Sequence, residues 1–139
     1  MREEETYISI DSNNTGRYIE GFILRNQLIE LHEYSENLNT KIKRIEAYVQ
    51  KYKGNIIFSG GDNVMAKIPE DNIQAIVELT RNLCEEEIVF SIGTGRTAID
   101  SYLALKYAKT FGGHFCIRYE DHQFKIQEDE DRKRYVLSE

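Results

Sequence analysis

The chain has 139 residues, 40% of them hydrophobic, and a net charge of -6. That length predicts one globular domain over residues 1–139, and the acidic balance excludes a protein that tracks long nucleic acid by neutralising phosphates. One nucleotide remains within reach, because a divalent cation and a few local cations neutralise a triphosphate.

Thr6-Tyr-Ile-Ser-Ile-Asp11 alternates apolar and polar residues and reads as a first strand ending on a carboxylate. The polar stretch Ser12-Asn-Asn-Thr-Gly16 reads as a loop. From Leu24, the positions Leu28, Leu31, Leu38, Ile42, Ile45, Val49 and Tyr52 follow helical spacing. Ser35, a good N-cap residue in a polar patch, predicts a break into two helices there. Gly54 stops the helix, and Asn55–Ser59, Gly60-Gly-Asp62 and Asn63–Ile68 read as strand, tight turn and strand.

Pro69 closes that hairpin, and Ile73, Ile76, Val77 and Leu83 mark a helix through about Cys84. Glu87–Ile92 reads as a strand, and Gly93-Thr-Gly-Arg-Thr97 as a short glycine loop. Thr97 and Asp100 resemble a capping box for a helix to Phe111, with Asp where Glu or Gln is usual. Gly112-Gly113 ends it, His114–Tyr119 reads as a strand, and Gln123–Ile126 as another. The charged tail, about 127–139, is expected to be mobile or an exposed helix. The fold class is therefore α+β: a mainly antiparallel sheet with one face under helices, and Asp11 beside the tip of the hairpin.

No run approaches the ~20 apolar residues of a membrane span, and Met1-Arg-Glu-Glu-Glu lacks a signal-peptide core. The expected location is cytoplasmic, without membrane insertion. Cys84 and Cys116 show no metal spacing and read as reduced, buried thiols. His114 and His122 have no paired ligands in the sequence and read as structural.

Asp11 and Asp62 carry the chemistry. Magnesium takes carboxylate oxygens together with water and phosphate, so two aspartates at neighbouring strand ends make a minimal cage. The bland reading is that Gly-Asp-Asn only turns a hairpin, since these residues dominate turns for conformational reasons. Two glycines before Asp62 are free to take positive φ and leave backbone room for a ligand.

Tyr7-Ile-Ser-Ile-Asp-Ser-Asn-Asn-Thr-Gly16, Ile56-Ile-Phe-Ser-Gly-Gly-Asp-Asn63, Ser91-Ile-Gly-Thr-Gly-Arg-Thr97, Tyr102-Leu-Ala-Leu-Lys-Tyr-Ala-Lys109 and Gly112-Gly113 together resemble the minimal CRISPR polymerase family. The wider resemblance is to the ferredoxin-like palm domains of diguanylate cyclases, type III CRISPR polymerases and the third type of archaeal GTP cyclohydrolase. It covers the chain up to Tyr119. The resemblance implies a cyclase that joins nucleoside triphosphates, adenine nucleotides first, into a cyclic di- or oligonucleotide with release of pyrophosphate. It also implies a separate nucleotide-sensing effector and a role in bacterial antiphage defence. One domain offers half of such a site, so closing a symmetric cyclic dinucleotide calls for at least a transient head-to-head dimer with a two-fold axis.

Carried onto this chain, the resemblance makes Asp11, the backbone carbonyl of Ser12, and Asp62 ligands of Mg2+ or Mn2+. Asn13, Asn14, Thr15 and Gly16 would bring backbone amides to the triphosphate, and Gly60, Gly61 and Asn63 would shape the turn against it. Lys106 and Lys109 would meet phosphates, Lys106 foremost; without the motif they would read as a solvated helix face. Arg96 would meet either a phosphate or an acidic neighbour. The chain departs from the family's pattern at Asn13, Asn14 and Asn63, where related sequences often carry carboxylates, and amides bind metal more weakly. Ring opening of GTP and silent nucleotide sensing are the alternative readings.

Overall fold

The computed structural model describes residues 4–127, so the charged tail lies outside the described residues. In chain order the elements are β1 (Glu5–Ser12), α1 (Thr15–Leu24), α2 (Leu28–Lys51), β2 (Asn55–Ser59), β3 (Asn63–Pro69), α3 (Ile73–Leu83), β4 (Phe90–Gly95), α4 (Ala98–Lys109), β5 (Cys116–Glu120) and β6 (Gln123–Ile126), with one 3-10 turn at Glu70–Asn72. The strands form one six-stranded sheet in the order β2-β3-β1-β4-β5-β6. It is antiparallel throughout except for the β4–β5 pair.

β1 runs between β3 and β4, and its alternation splits two layers. Ile8 and Ile10 face a core shared with Leu38, Ile42, Ile45 and Val49 of α2 and Ile73, Ile76 and Val77 of α3. Ser9, one residue out of phase, faces α4, where its hydroxyl lies 2.9 Å from that of Ser101. Helices therefore cover both faces of the sheet, not one as the sequence predicted. A smaller cluster joins Ala104 and Ala108 of α4 to Ile117 and Ile126 on the second face.

α4 approaches β4 on a path cleared by glycine. A Cβ on Gly93 would stand 2.1 Å from the backbone nitrogen of Leu105, and one on Gly95 would stand 2.4 Å from Asp100 Cβ. The predicted glycine loop is thus the second half of β4: Gly93, Thr94 and Gly95 pair with Ser9, Ile8 and Tyr7 of β1. The strand accordingly begins at Phe90 instead of Glu87. Thr97 caps α4 as expected, its hydroxyl accepting from the Asp100 amide at 3.1 Å.

The predicted break at Ser35 does not occur, because Tyr34, Leu38, Ile42, Ile45 and Val49 form one continuous buried stripe and Ser35 sits on the exposed side of it. The chain turns earlier, at Asn26, which adopts φ 57. The predicted loop from Ser12 to Gly16 shrinks to two residues, since β1 continues through Ser12 and α1 begins at Thr15. Asn14 makes that turn in the left-handed region, which Asn tolerates better than most residues.

Candidate nucleotide and metal site

The fold brings the ends of β1 and β3 together. Asp11 pairs with Asn63 on one side and Ser91 on the other. The Ser12 amide donates to the Asp62 carbonyl at 3.0 Å, which fastens the hairpin turn to the end of β1. Asp62 is close enough to Asp11 for its charge to act on it. Burial is the largest influence on the Asp11 carboxyl and raises it above the ordinary value, repulsion from Asp62 adds to this, and Lys109 opposes both.

Lys109 reaches across from the end of α4 and donates to Asp11 Oδ2 at 2.7 Å. The other oxygen, Asp11 Oδ1, is buried and has no hydrogen-bond partner among the described residues, and the same holds for Asn63 Oδ1. Replacing Lys109 by Met leaves the influence of the Ser12 backbone amide and removes the two largest of those that lower the Asp11 carboxyl. Its titration, followed by carboxyl 13C NMR, is expected to move further upward, and Lys109→Arg to restore most of the wild-type curve.

Among the described residues no cluster of three or more His, Cys, Asp or Glu side chains surrounds a single point. Even so, the donors present fit a small divalent cation. A buried, unpartnered carboxylate oxygen beside a second carboxylate offers hard oxygen ligands and an unmet electrostatic demand, with coordination positions left for water and phosphate. The Ser12 carbonyl makes only a long contact, 3.4 Å, with the Thr15 hydroxyl.

Facing this pair is the start of α1. Its N-cap residue, Asn14, makes no side-chain cap and the first turn holds no acidic residue, so the leading amides remain available to an anion. Between that helix end, α2 and the hairpin turn lies a groove of about 410 Å3, bordered by Thr15, Gly16, Tyr34, Leu38, Asn39 and Asp62. Tyr34 and Asn39 were not picked out by sequence reasoning, because both stand far from the turn in the chain and border a groove that exists only once the turn is folded beside α2.

The remaining candidates separate. Asn13 is 5% exposed, accepts from the Ser91 hydroxyl at 2.8 Å and donates to the Gly113 carbonyl at 3.4 Å, so its side-chain amide braces the end of β1 against β4 and the turn before β5. Neither Gly60 nor Gly61 takes positive φ; Gly112 is the glycine that does so among the described residues. Gly61 borders the groove in open space, and a Cβ on Gly60 would press on Asn63 Oδ1 at 2.6 Å. Lys106 is exposed with its ammonium 5.2 Å from the Tyr102 ring centre, and the lysine that touches Asp11 is Lys109. Arg96 pairs with Glu120 at 3.1 Å and lies beyond the opposite end of β4, away from the aspartates. His114 is buried with its ring nitrogen 2.8 Å from the Thr80 hydroxyl, a structural setting.

A family model of the minimal CRISPR polymerase domain matches residues 7–119. The chain belongs to that family. The match spans most of β1, the hairpin, α4 and most of β5, and so every residue of the aspartate–lysine arrangement. No curated protein matches the chain. Among solved structures, an EAL/GGDEF domain protein from M. capsulatus is similar at 13% identity and TM-score 0.58, covering 84% of each chain. The GGEEF domain of a diguanylate cyclase from Vibrio cholerae is similar at 20% identity and TM-score 0.57, covering 84% of this chain and 83% of that one. A guanylyl cyclase matches at 14% identity and TM-score 0.55, covering 85% and 77%. These likenesses establish the cyclase palm fold, and family membership adds a nucleotide cyclase or polymerase as the general activity. Among the described residues no helix is long and apolar enough to cross a membrane.

Proposed function

We propose that the chain is a metal-dependent nucleotidyltransferase that joins nucleoside triphosphates into a cyclic di- or oligonucleotide and releases pyrophosphate. The observation that carries this reading is that Asp62 and the uncapped start of α1 border one nucleotide-sized groove, with Asp11 at the end of β1 paired to Asn63, the residue after Asp62. Asp11 Oδ1, Asp62 and the Ser12 carbonyl would hold Mg2+ or Mn2+, which when bound neutralises phosphate charge and eases deprotonation of an attacking hydroxyl.

The chain's own groups do the positioning. Amides of Thr15 and Gly16 receive phosphate oxygens, and Lys109 holds Asp11 with one oxygen turned away from the ion pair. Tyr34 and Leu38 give the groove an apolar wall against the base, while Ser35 and Asn39, one turn apart on α2, offer a hydroxyl and an amide to its edge. An amide both donates and accepts, so this pair accommodates adenine, our first choice, as well as guanine. On this reading the product serves a separate nucleotide-sensing effector in antiphage defence.

Mass analysis after incubation with each nucleoside triphosphate and magnesium or manganese tests the reading. Cyclic product with pyrophosphate is expected, and Asp62→Ala is expected to make roughly 10²–10³-fold less of it, the scale of losing one preorganised electrostatic contact. Lys109→Met is expected to lose about 10–100-fold, as for groups that orient a metal ligand. Equal rates for wild type and Asp62→Ala would overturn the metal assignment. Formate as product would instead mean GTP ring opening. A silent nucleotide sensor is the second reading, favoured by the amide of Asn63 beside Asp11, and binding without turnover would select it.

A further inference from the structure

α1 and its C-cap carry two arginines, Arg17 and Arg25, with Gly21 midway between them. Residues four apart on a helix are neighbours, so a glutamate at position 21 would pair with both guanidiniums. The chain has glycine there instead, a residue that weakens a helix interior relative to alanine. Neither Arg17 nor Arg25 pairs with a carboxylate among the described residues, whereas Arg81, Arg96 and Arg118 each hold one. In a protein of net charge -6, two cations on one helix face without a counter-charge are a placement that folding does not require.

Gly21 shapes the space between them. Arg25 folds back along the helix: its Nε donates to Gln27 Oε1 at 2.7 Å, and its guanidinium carbon lies 5.6 Å from the Phe22 ring centre. A Cβ on Gly21 would stand 3.0 Å from Arg25 Nη1, so the absence of a side chain lets the guanidinium lie over the helix backbone. The result is a groove of about 340 Å3 along α1, bordered by Asn14, Arg17, Tyr18, Gly21 and Arg25. Asn14 is the N-cap residue, and the next two residues, Thr15 and Gly16, border the larger groove on another flank of the helix. The two grooves therefore come together at the start of α1, where the leading amides are directed outward.

We infer that the Arg17–Arg25 groove holds the β- and γ-phosphates of the bound triphosphate, and then the pyrophosphate they become. This rests on the function proposed above, in which the base lies against Tyr34 and Leu38 and the phosphates cross the start of α1. A guanidinium presents several N–H donors in a planar fork that matches phosphate oxygens in pairs. In the reaction an attacking hydroxyl oxygen bonds to the α-phosphorus, and its proton passes to solvent water. The bond from that phosphorus to the oxygen bridging to the β-phosphate breaks, and the electron pair leaves with pyrophosphate. Arg17 and Arg25 neutralise the charge that grows on the departing group. A nucleoside monophosphate, which lacks those phosphates, gains nothing from the groove.

Equilibrium dialysis with Mg2+ and the α,β-methylene triphosphates of adenosine and guanosine tests this, with the two monophosphates for comparison and inorganic pyrophosphate as competitor. Arg17→Gln with Arg25→Gln, both exposed side chains, is expected to keep the wild-type melting curve. Its affinity for the triphosphate analogue is expected to fall about 10–100-fold, the scale of lost charged hydrogen bonds, with monophosphate affinity unchanged. Gly21→Leu keeps both charges and places a side chain between them. It is expected to melt no lower than wild type and to weaken the analogue and pyrophosphate alike, an effect that general attraction between charges would not give. Undiminished triphosphate affinity in either variant, or an equal loss for triphosphate and monophosphate, would overturn the groove assignment and leave the proposed function standing. A wild type that binds none of these nucleotides would overturn both.

Discussion

Asp11→Asn is expected to melt higher than wild type at neutral pH and to make at least about 10³-fold less product. The two effects share one cause. Burial and then Asp62 hold the Asp11 carboxyl above its ordinary 3.8, against the pull of Lys109. A carboxyl raised on folding contributes stability while protonated; that contribution is complete below 3.8 and is lost as pH rises through the folded value. At neutral pH wild type therefore carries a charge the fold disfavours, and the amide variant does not. Melting curves recorded from about pH 3 to pH 7 are expected to converge at the acid end and separate toward neutrality. Adding Mg2+ with a non-hydrolysable nucleotide is expected to raise the wild-type midpoint and leave the variant's nearly unmoved, because only ligands that bind the folded state shift it. A variant less stable than wild type at pH 7 would show that the Lys109 contact outweighs burial.

Gly93→Ala is expected to cost at least about 1–3 kcal/mol, the usual range for overpacking, and to be among the most damaging single-methyl additions in the chain. The added carbon would stand 2.1 Å from the Leu105 nitrogen and 2.3 Å from the Ser101 carbonyl, both helix backbone that no rotamer change can move. Relief requires lifting α4 off β4. That movement would also carry Lys109 away from Asp11, so the variant is expected to lose nucleotide binding even below its melting temperature. Gly61→Ala is the matched control: it meets nothing within 4 Å and has no positive φ, so its stability is expected within about 0.5 kcal/mol of wild type. Urea denaturation of both variants checks the contrast.

The two glycine motifs show how far the sequence could be read. Gly60-Gly61-Asp62 was legible as a hairpin because both flanking strands announce themselves by alternation and β-branching. Gly93-Thr-Gly95 was not, since a glycine inside a strand and a glycine in a loop look alike until a helix is laid across it. The same limit hid the partner of Asp11. Lys106 and Lys109 share a helix face in sequence, and only the height of α4 over the sheet selects Lys109. Asn13 read as a weakened ligand because it stands next to the site, yet its amide is spent on Ser91 and Gly113. The Ser35 break failed for a related reason: local cap preference yields when a buried stripe runs continuously beneath it.

β1 lies at the middle of the sheet although it comes first in the chain, and this sets an order of events during synthesis. Asp11 meets Lys109, 98 residues further along. At about 5–20 residues per second, the carboxylate is made roughly 5–20 s before its ammonium partner. α2 needs only its own neighbours to begin coiling, whereas Ile8 and Ile10 must wait for β3 and β4 before they are covered. The Asp11–Lys109 pair is thus among the last parts of the molecule to exist, and a nascent chain stalled before α4 holds both aspartates without the cation that steadies one of them.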